Sequence, residues 1–332
     1  MLAFVVRRGR LLLQSKPIPR LRPGWALIRV RLAGICNTDL EILRGYHNFR
    51  GTPGHEFVGE VVRVNASPGT AKRIVGRRVV GEINISCASL SYAKICPMCR
   101  RGLSTHCAYR RVLGIVAHDG AFAEYLSLPL ANLHLVPAAI PDEQAVFTEP
   151  LAAACEILEQ VDIRRHRAAA VLGDGKLAQL IARVLQDAGL RTVMFGKHAR
   201  KLALARRAGI GTVLSRSATS GHRGRALYSL VVEATGSPQG LRQAVALAAP
   251  RGTLVLKSTF HGTAAMASWP MVVNELTLVG SRCGPFPKAI ALLRQHRVDL
   301  RPLIRRGFPL EQADQAIRFA ARRGVLKVLL KP

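Results

Sequence analysis

Residues 168–201, AAAVLGDGKLAQLIARVLQDAGLRTVMFGKHARK, decide the fold. The stretch opens on a short apolar run, 168-AAAVL-172, and turns through two glycines. It continues with helical apolar spacing from Lys176 to Ala188 and returns to a second run, 191-RTVMF-195. Strand, helix and strand at this spacing predict a βαβ unit of a parallel sheet. The first strand-to-helix junction reads Gly173-x-Gly175-x-x-Ala178. Gly173 permits the tight turn, Gly175 lets a pyrophosphate approach the backbone, and Ala178 lets helix and strand pack closely. The helix start at Lys176 and Leu177 offers free N–H groups and a dipole that favours phosphate. Glycine pairs also mark ordinary turns, but between a strand and a helix they point to a dinucleotide site.

An NAD site usually carries Asp or Glu about 20 residues further on, where it accepts from the ribose 2′-hydroxyl. The second strand here runs into 193-VMFGKHARK-201, without a carboxylate. Gly196 makes room, and Lys197, His198 and Arg200 can meet a 2′-phosphate with charge-assisted hydrogen bonds. The expectation is NADP in preference to NAD.

Outward from this segment the alternation continues through a helix over 199–208, strand 229-SLVVEA-234, a helix over 239–247 and strand 253-TLVLK-257, as a doubly wound α/β sheet requires. Residues before about 145 differ. There 26-ALIRVRLAGI-35, 56-EFVGEVVRV-64, 77-RRVVGEI-83 and 121-AFAEYLSL-128 are β-branched or alternating runs bounded by Gly, Pro and Asn, which suits a β-barrel. The segment 142-DEQAVFTEPLAAACEILEQV-161 has helical spacing, an acidic first turn and a break expected at Pro150. After Gly284 come two helical patterns and a last strand, 325-VLKVLL-330, able to complete the first domain. The expected division is 1–145 with 285–332, and 146–284. Two domains also agree with a chain of 332 residues.

No low-complexity tract or internal repeat interrupts the chain, and 49% hydrophobic residues mark a globular protein. Its formal charge is +29, mostly arginine spread over the length, as in 164-RRHR-167 and 304-IRR-306. Basic surfaces can bind nucleic acid by counterion release. No nucleic-acid motif accompanies the charge, and aromatic residues for stacking are only 5%, so the charge reads as a solvated basic surface. In Met1–Arg10 the apolar residues precede the arginines, the reverse of a secretory signal. No uncharged apolar run approaches the ~20 residues of a membrane span, so a cytoplasmic location is expected. In a reducing compartment the seven cysteines then argue for metal rather than disulfides.

Two constellations carry that metal reading. Within 87-CASLSYAKICPMCRRGLSTHC-107, Cys87, Cys96, Cys99 and Cys107 suit a closed four-thiolate zinc site that stabilises an irregular loop. The second is dispersed: Cys36, His55, Glu56 and Glu149 offer a thiolate, an imidazole and carboxylates, an incomplete shell that leaves room for substrate. Singly, Cys36 or His55 is an ordinary core residue.

In order, 34-GICNTD-39, 54-GHEFVG-59, 77-RRVVGE-82, the cysteine lobe, 148-TEPLA-152, 171-VLGDGKLA-178 and 232-VEATGS-237 resemble the zinc-containing medium-chain alcohol and polyol dehydrogenases over nearly the whole chain. The resemblance implies a GroES-like catalytic domain and a Rossmann domain. It implies a catalytic zinc on Cys36 and His55, with Glu56 as ligand or exchangeable neighbour and Glu149 as ligand or holder of the zinc water. Thr38 matches the hydroxyl residue that relays the substrate proton, and Asp39 the residue behind the zinc ligands. The four lobe cysteines match a structural zinc. Glu in TEPLA looks like the polyol and sugar branch. One departure is the lobe's first spacing: Cys87 and Cys96 are nine apart, where three is usual.

The implied reaction is hydride transfer between the carbinol carbon of an alcohol, polyol or sugar and NAD(P), by a homodimer or homotetramer for which 276-LTLVGSR-282 could supply an edge strand. Tyr46, His47, Phe49 and Phe286 are candidates for the substrate lining, and Cys155 and Cys283 have no assigned role. The rival readings are a zinc-free quinone or enone reductase of the same superfamily, and a non-enzymatic basic binding protein. Cys36, His55 and Glu149 together count against the first; salt-sensitive retention on DNA without cofactor turnover would mark the second.

Overall fold

The computed structural model describes residues 1–332 except 8, 91–93, 216–227, 260–262, 264 and 267. Contacts divide the chain into two units, Met1–Glu149 with Ala289–Pro332, and Pro150–Lys288. Residues 91–93, part of the long spacing between Cys87 and Cys96, lie outside the described residues.

The first unit opens with an antiparallel hairpin, β1 (Leu2–Arg7) and β2 (Arg10–Ser15). Then come β3 (Trp25–Gly34), β4 (Glu56–Asn65), β5 (Arg78–Gly81), β6 (Asn84–Ile85), β7 (Arg111–Val112), β8 (Tyr125–Pro129) and β9 (Leu133–Leu135). Along β3 the arginines at 29 and 31 face out while Ile28 and Val30 face in, the period-2 pattern of a half-buried strand. Phe57, Phe122, Leu126 and Leu128 join Ile28 in the core of this unit. β3 and β4 pair antiparallel from Trp25 opposite Asn65 to Gly34 opposite Glu56. That register brings the end of one strand beside the start of the other.

The second unit is one sheet of six parallel strands: β10 (Ala168–Leu172), β11 (Arg191–Gly196), β12 (Gly211–Leu214), β13 (Tyr228–Glu233), β14 (Ala248–Leu256) and β15 (Thr277–Gly280). Their spatial order, β12-β11-β10-β13-β14-β15, reverses direction beside β10, the switch point at which open α/β sheets bind ligands. Leu172, Phe195, Val231 and Leu254 form its core.

The chain then returns to the first sheet with β16 (Ile304–Pro309) and β17 (Lys327–Lys331), giving the order β16-β17-β3-β4-β5-β9 with β8 also on β3. The expected break at Pro150 is displaced. Three short helices, Asp142–Ala145, Thr148–Cys155 and Ile157–Gln160, replace one kinked helix. Pro150 sits in the first turn of the middle one, where a missing N–H costs nothing.

Candidate functional site

The β3/β4 register explains how Cys36 and His55, 19 positions apart in sequence, meet. Cys36 leaves the end of β3 as N-cap of the helix Asn37–Leu43, and His55 precedes β4. Their ligand atoms and that of Glu56 all lie within 4.8 Å of one another. Asp39 ties the group together: one oxygen accepts from the Cys36 N–H at 2.7 Å, and the other faces His55 Nδ1 at 3.4 Å. Burial disfavours a charged His55, but the Asp39 carboxylate and the Cys36 sulfur outweigh it and hold the imidazole well above the usual histidine range. Thr38 Oγ1 stands 3.8 Å from Cys36 Sγ.

Glu149 is half-buried in the first turn of the helix Thr148–Cys155 and is not part of this cluster. The helix start, rather than the β3/β4 edge, sets its position. Of the aromatic candidates for the substrate lining, Phe49 packs with Val6 and Ile42 as core and Phe286 is buried at 4% exposure. Tyr46 and His47 meet edge to face at 4.2 Å between centroids.

The four lobe sulfurs also converge within 4.8 Å. Cys96 Sγ and Cys107 Sγ are 3.8 Å apart, the edge of a tetrahedron with zinc–sulfur bonds of about 2.3 Å. Backbone N–H groups hold this cluster: Cys87 donates to Cys107 Sγ at 3.2 Å and Cys96 to Cys87 Sγ at 3.4 Å. N–H groups of Cys99 and Ala108 pull the Cys96 thiol below its ordinary range, while burial pushes the Cys99 thiol above it. Despite its nine-residue spacing, Cys87 sits in the cluster.

In the second unit Gly173 has φ +119°, and a Cβ there would lie 2.5 Å from the Ala234 carbonyl oxygen. Gly175, N-cap of the helix Lys176–Asp187, faces open space where a Cβ would stand, and Ala178 is fully buried. The turn at Gly173, the open side at Gly175 and the packing at Ala178 have the geometry that a glycine motif requires. Lys197 and Arg200 are exposed, and His198 is half-buried as N-cap of the helix Ala199–Arg207.

Residues 22–138 match the family model of the alcohol dehydrogenase GroES-like domain, and residues 175–295 that of the zinc-binding dehydrogenases. The chain is 30% identical over 319 residues to D-altritol 5-dehydrogenase of Agrobacterium fabrum, covering 92% of each chain. It belongs to the zinc-containing medium-chain alcohol and polyol dehydrogenases. Solved structures agree. A protein of Sinorhizobium meliloti 1021 bound to NADP superposes at TM-score 0.89 with 28% identity and full coverage of both chains. An alcohol dehydrogenase of Escherichia coli CFT073 bound to NADH superposes at TM-score 0.89 with 27% identity, covering 100% of this chain and 99% of that one.

As a member of that family the chain is an NAD(P)-dependent oxidoreductase. Its residues fit the metal the family implies. Cys36, His55 and Glu56 are a borderline-soft sulfur, nitrogen and oxygen donor set, and the Asp39 carboxylate facing His55 Nδ1 leaves the other ring nitrogen for a metal.

Two residues of this dehydrogenase escape a sequence reading. Lys327, on β17, is 1% exposed and forms an ion pair with Glu56 Oε2, its ammonium 5.1 Å from the centroid of the Phe147 ring. β17 pairs with β3 at Gly34, which faces the pair without a side chain to obstruct it. Asp174, between the two motif glycines, reaches under the end of β11 and accepts from the backbone N–H groups of Lys197 at 2.7 Å and His198 at 2.8 Å. The carboxylate of the glycine turn thus fastens the backbone at the end of β11. Among the described residues no helix is long and apolar enough to cross a membrane.

Proposed function

We propose that this dehydrogenase oxidises a secondary hydroxyl of a polyol or sugar, reversibly, with NADP preferred to NAD, in the cytoplasm. The observation that carries the reading is the convergence of Cys36, His55 and Glu56 at the β3/β4 edge. These three would hold the catalytic zinc, with Glu149 outside them as a further ligand or the holder of a water. Bound there, zinc supplies Lewis acidity that lowers the pKa of a hydroxyl by several units and stabilises developing negative charge.

The chain's own residues do the rest. Thr38 Oγ1 takes the proton of the substrate hydroxyl and hands it toward solvent. Asp39 orients both Cys36 and His55 through its two oxygens. Lys327 balances Glu56, so that the site's negative charge is not left bare when substrate enters. Gly173, Gly175, Lys176 and Leu177 seat the pyrophosphate, while Lys197, His198 and Arg200 meet the 2′-phosphate. Cys87, Cys96, Cys99 and Cys107 would hold a second, structural zinc.

A homodimer fits the exposed apolar residues of the second unit. Trp269, Val272 and Val273 are 66–73% exposed, and β15 is the edge strand of its sheet. A second copy adding β15 to β15 would cover both. The polyol branch is supported by the altritol dehydrogenase relative and by Glu149 in the TEPLA motif.

The test is reduction of NADP and, separately, NAD by the zinc-replete protein against primary alcohols, secondary alcohols, polyols and aldoses, with and without chelator. Polyol turnover that chelator abolishes and Cys36→Ser removes is the expected result. Turnover of none of these substrates, or turnover that survives Cys36→Ser, overturns it.

A further inference from the structure

The turn that follows β11 gathers Lys197, His198, Arg200 and Lys201 within five residues. Three cations and an imidazole this close splay a loop, the cations repelling one another, unless something beneath them supplies negative charge and fixes the backbone. Asp174 does both. Its carboxylate, 9% exposed, accepts the Lys197 and His198 backbone N–H groups on Oδ2. It contacts His198 Nδ1 at 2.9 Å and 3.1 Å through its two oxygens and lies 3.6 Å from Lys201 Nζ. Gln179, fully buried on the neighbouring helix, donates to the Lys201 carbonyl at 2.9 Å and holds the far side of the same turn.

Gly196 completes the arrangement. A Cβ on it would stand 2.7 Å from Asp174 Cβ and 2.8 Å from Oδ2, so the carboxylate fills the space that a side chain at the end of β11 would occupy. With three donors on Oδ2, little of this carboxylate is left to accept from a ribose hydroxyl.

We infer that Asp174 is a positioning residue for dinucleotide discrimination. It braces the β11 turn from below so that Lys197, His198 and Arg200 present one preformed surface to the 2′-phosphate. This rests on the NADP reading above and adds its cause. Two effects oppose each other. Removing Asp174 takes a negative charge away from the phosphate, which favours binding, and unfastens the turn, which disfavours it. A turn fixed by two backbone donors and a half-buried imidazole loses more by unfastening, because each hydrogen bond to a charged group is among the stronger kind.

The experiment is calorimetric titration of the zinc-loaded protein with 2′,5′-ADP and with 5′-ADP, for the native chain, Asp174→Asn and Gly196→Ala, with thermal melts as the folding check. The native chain is expected to prefer 2′,5′-ADP. Both variants should lose about tenfold or more of their 2′,5′-ADP affinity while 5′-ADP binding changes little. Native preference with 2′,5′-ADP bound equally or more tightly by Asp174→Asn overturns the brace and leaves the NADP reading standing. Loss of both ligands together also overturns it, since a collapsed loop discriminates nothing. Native preference for 5′-ADP overturns the NADP reading, and with it the brace. If Asp174→Asn then abolished that preference, the carboxylate would be identified as the ribose acceptor.

Discussion

Lys327→Met tests how the buried charge of Glu56 is compensated. The substitution keeps the length and apolar stem of the side chain and removes only the ammonium. Both partners are 1% exposed, so the carboxylate left behind cannot recruit water without opening the β3/β17 edge. Removing one partner of a buried pair costs about 3–5 kcal/mol, part of it here the contact of the ammonium with the Phe147 ring. At about 2–4 °C per kcal/mol, the melting midpoint of the first unit should fall by roughly 6 to 20 °C. The assay is a thermal melt of zinc-loaded protein with zinc content measured in parallel, for Lys327→Met, Glu56→Gln and the double variant. The double variant should recover most of the loss, because a neutral pair is often as stable as a buried ionic one. A fall of less than about 2 °C in Lys327→Met, or a double variant worse than the sum of the singles, would refute the reasoning.

Cys87→Ser should lower the zinc content from two to one per chain and destabilise the loop to Cys107; an unchanged count by atomic emission would remove Cys87 from the ligand set. Burial pushes the Cys155 thiol up to about 12, so the folded chain keeps a proton that the unfolded chain releases near 9. That contribution is fully present below pH 9 and declines by about 1.4 kcal/mol per pH unit above it, up to pH 12. Cys155→Ala should therefore gain stability relative to the native chain between pH 9 and 10.5 in denaturant melts, and a difference that stays flat would contradict the burial argument. Val272→Arg places a charge in the exposed apolar surface and should convert dimers to monomers in sedimentation. Dimers that persist would move the contact elsewhere.

The parallel sheet and the cysteine lobe could be read from the chain because their signals are local, whereas Cys36, His55 and Glu149 took their meaning from the family resemblance. Strand and helix periods alternate from 168 to 208 and again from 229 to 257, and Cys96-x2-Cys99 carries its own spacing. Even the distant pair Cys36 and His55 is placed by one antiparallel register. What could not be read depends on reach or room. Lys327 lies 271 residues from Glu56, and nothing near either residue announces the other. Asp174 looks like filler between two glycines until Gly196, 22 positions on, leaves the space it fills. The four-residue strand β12 is half-exposed at the sheet edge, too short and too weakly apolar for its period to show. Pro150 was legible as a breaker but not as a helix-start residue, because the turn before Thr148 carries no glycine or cap signal of its own.

The return of β17 to β3 sets an order on biosynthesis. As the chain leaves the ribosome, β3, β4 and the thiol–imidazole pair emerge early, while the cation that neutralises Glu56 arrives only after the entire parallel sheet has been made. Until then the barrel has an unpaired edge at Gly34 and an uncompensated carboxylate within it. The continuous six-stranded unit can reach its final pairing first, and the older barrel closes later, around a strand made after that unit. A stalled or truncated nascent chain would therefore carry a finished nucleotide fold beside an open, aggregation-prone sheet edge.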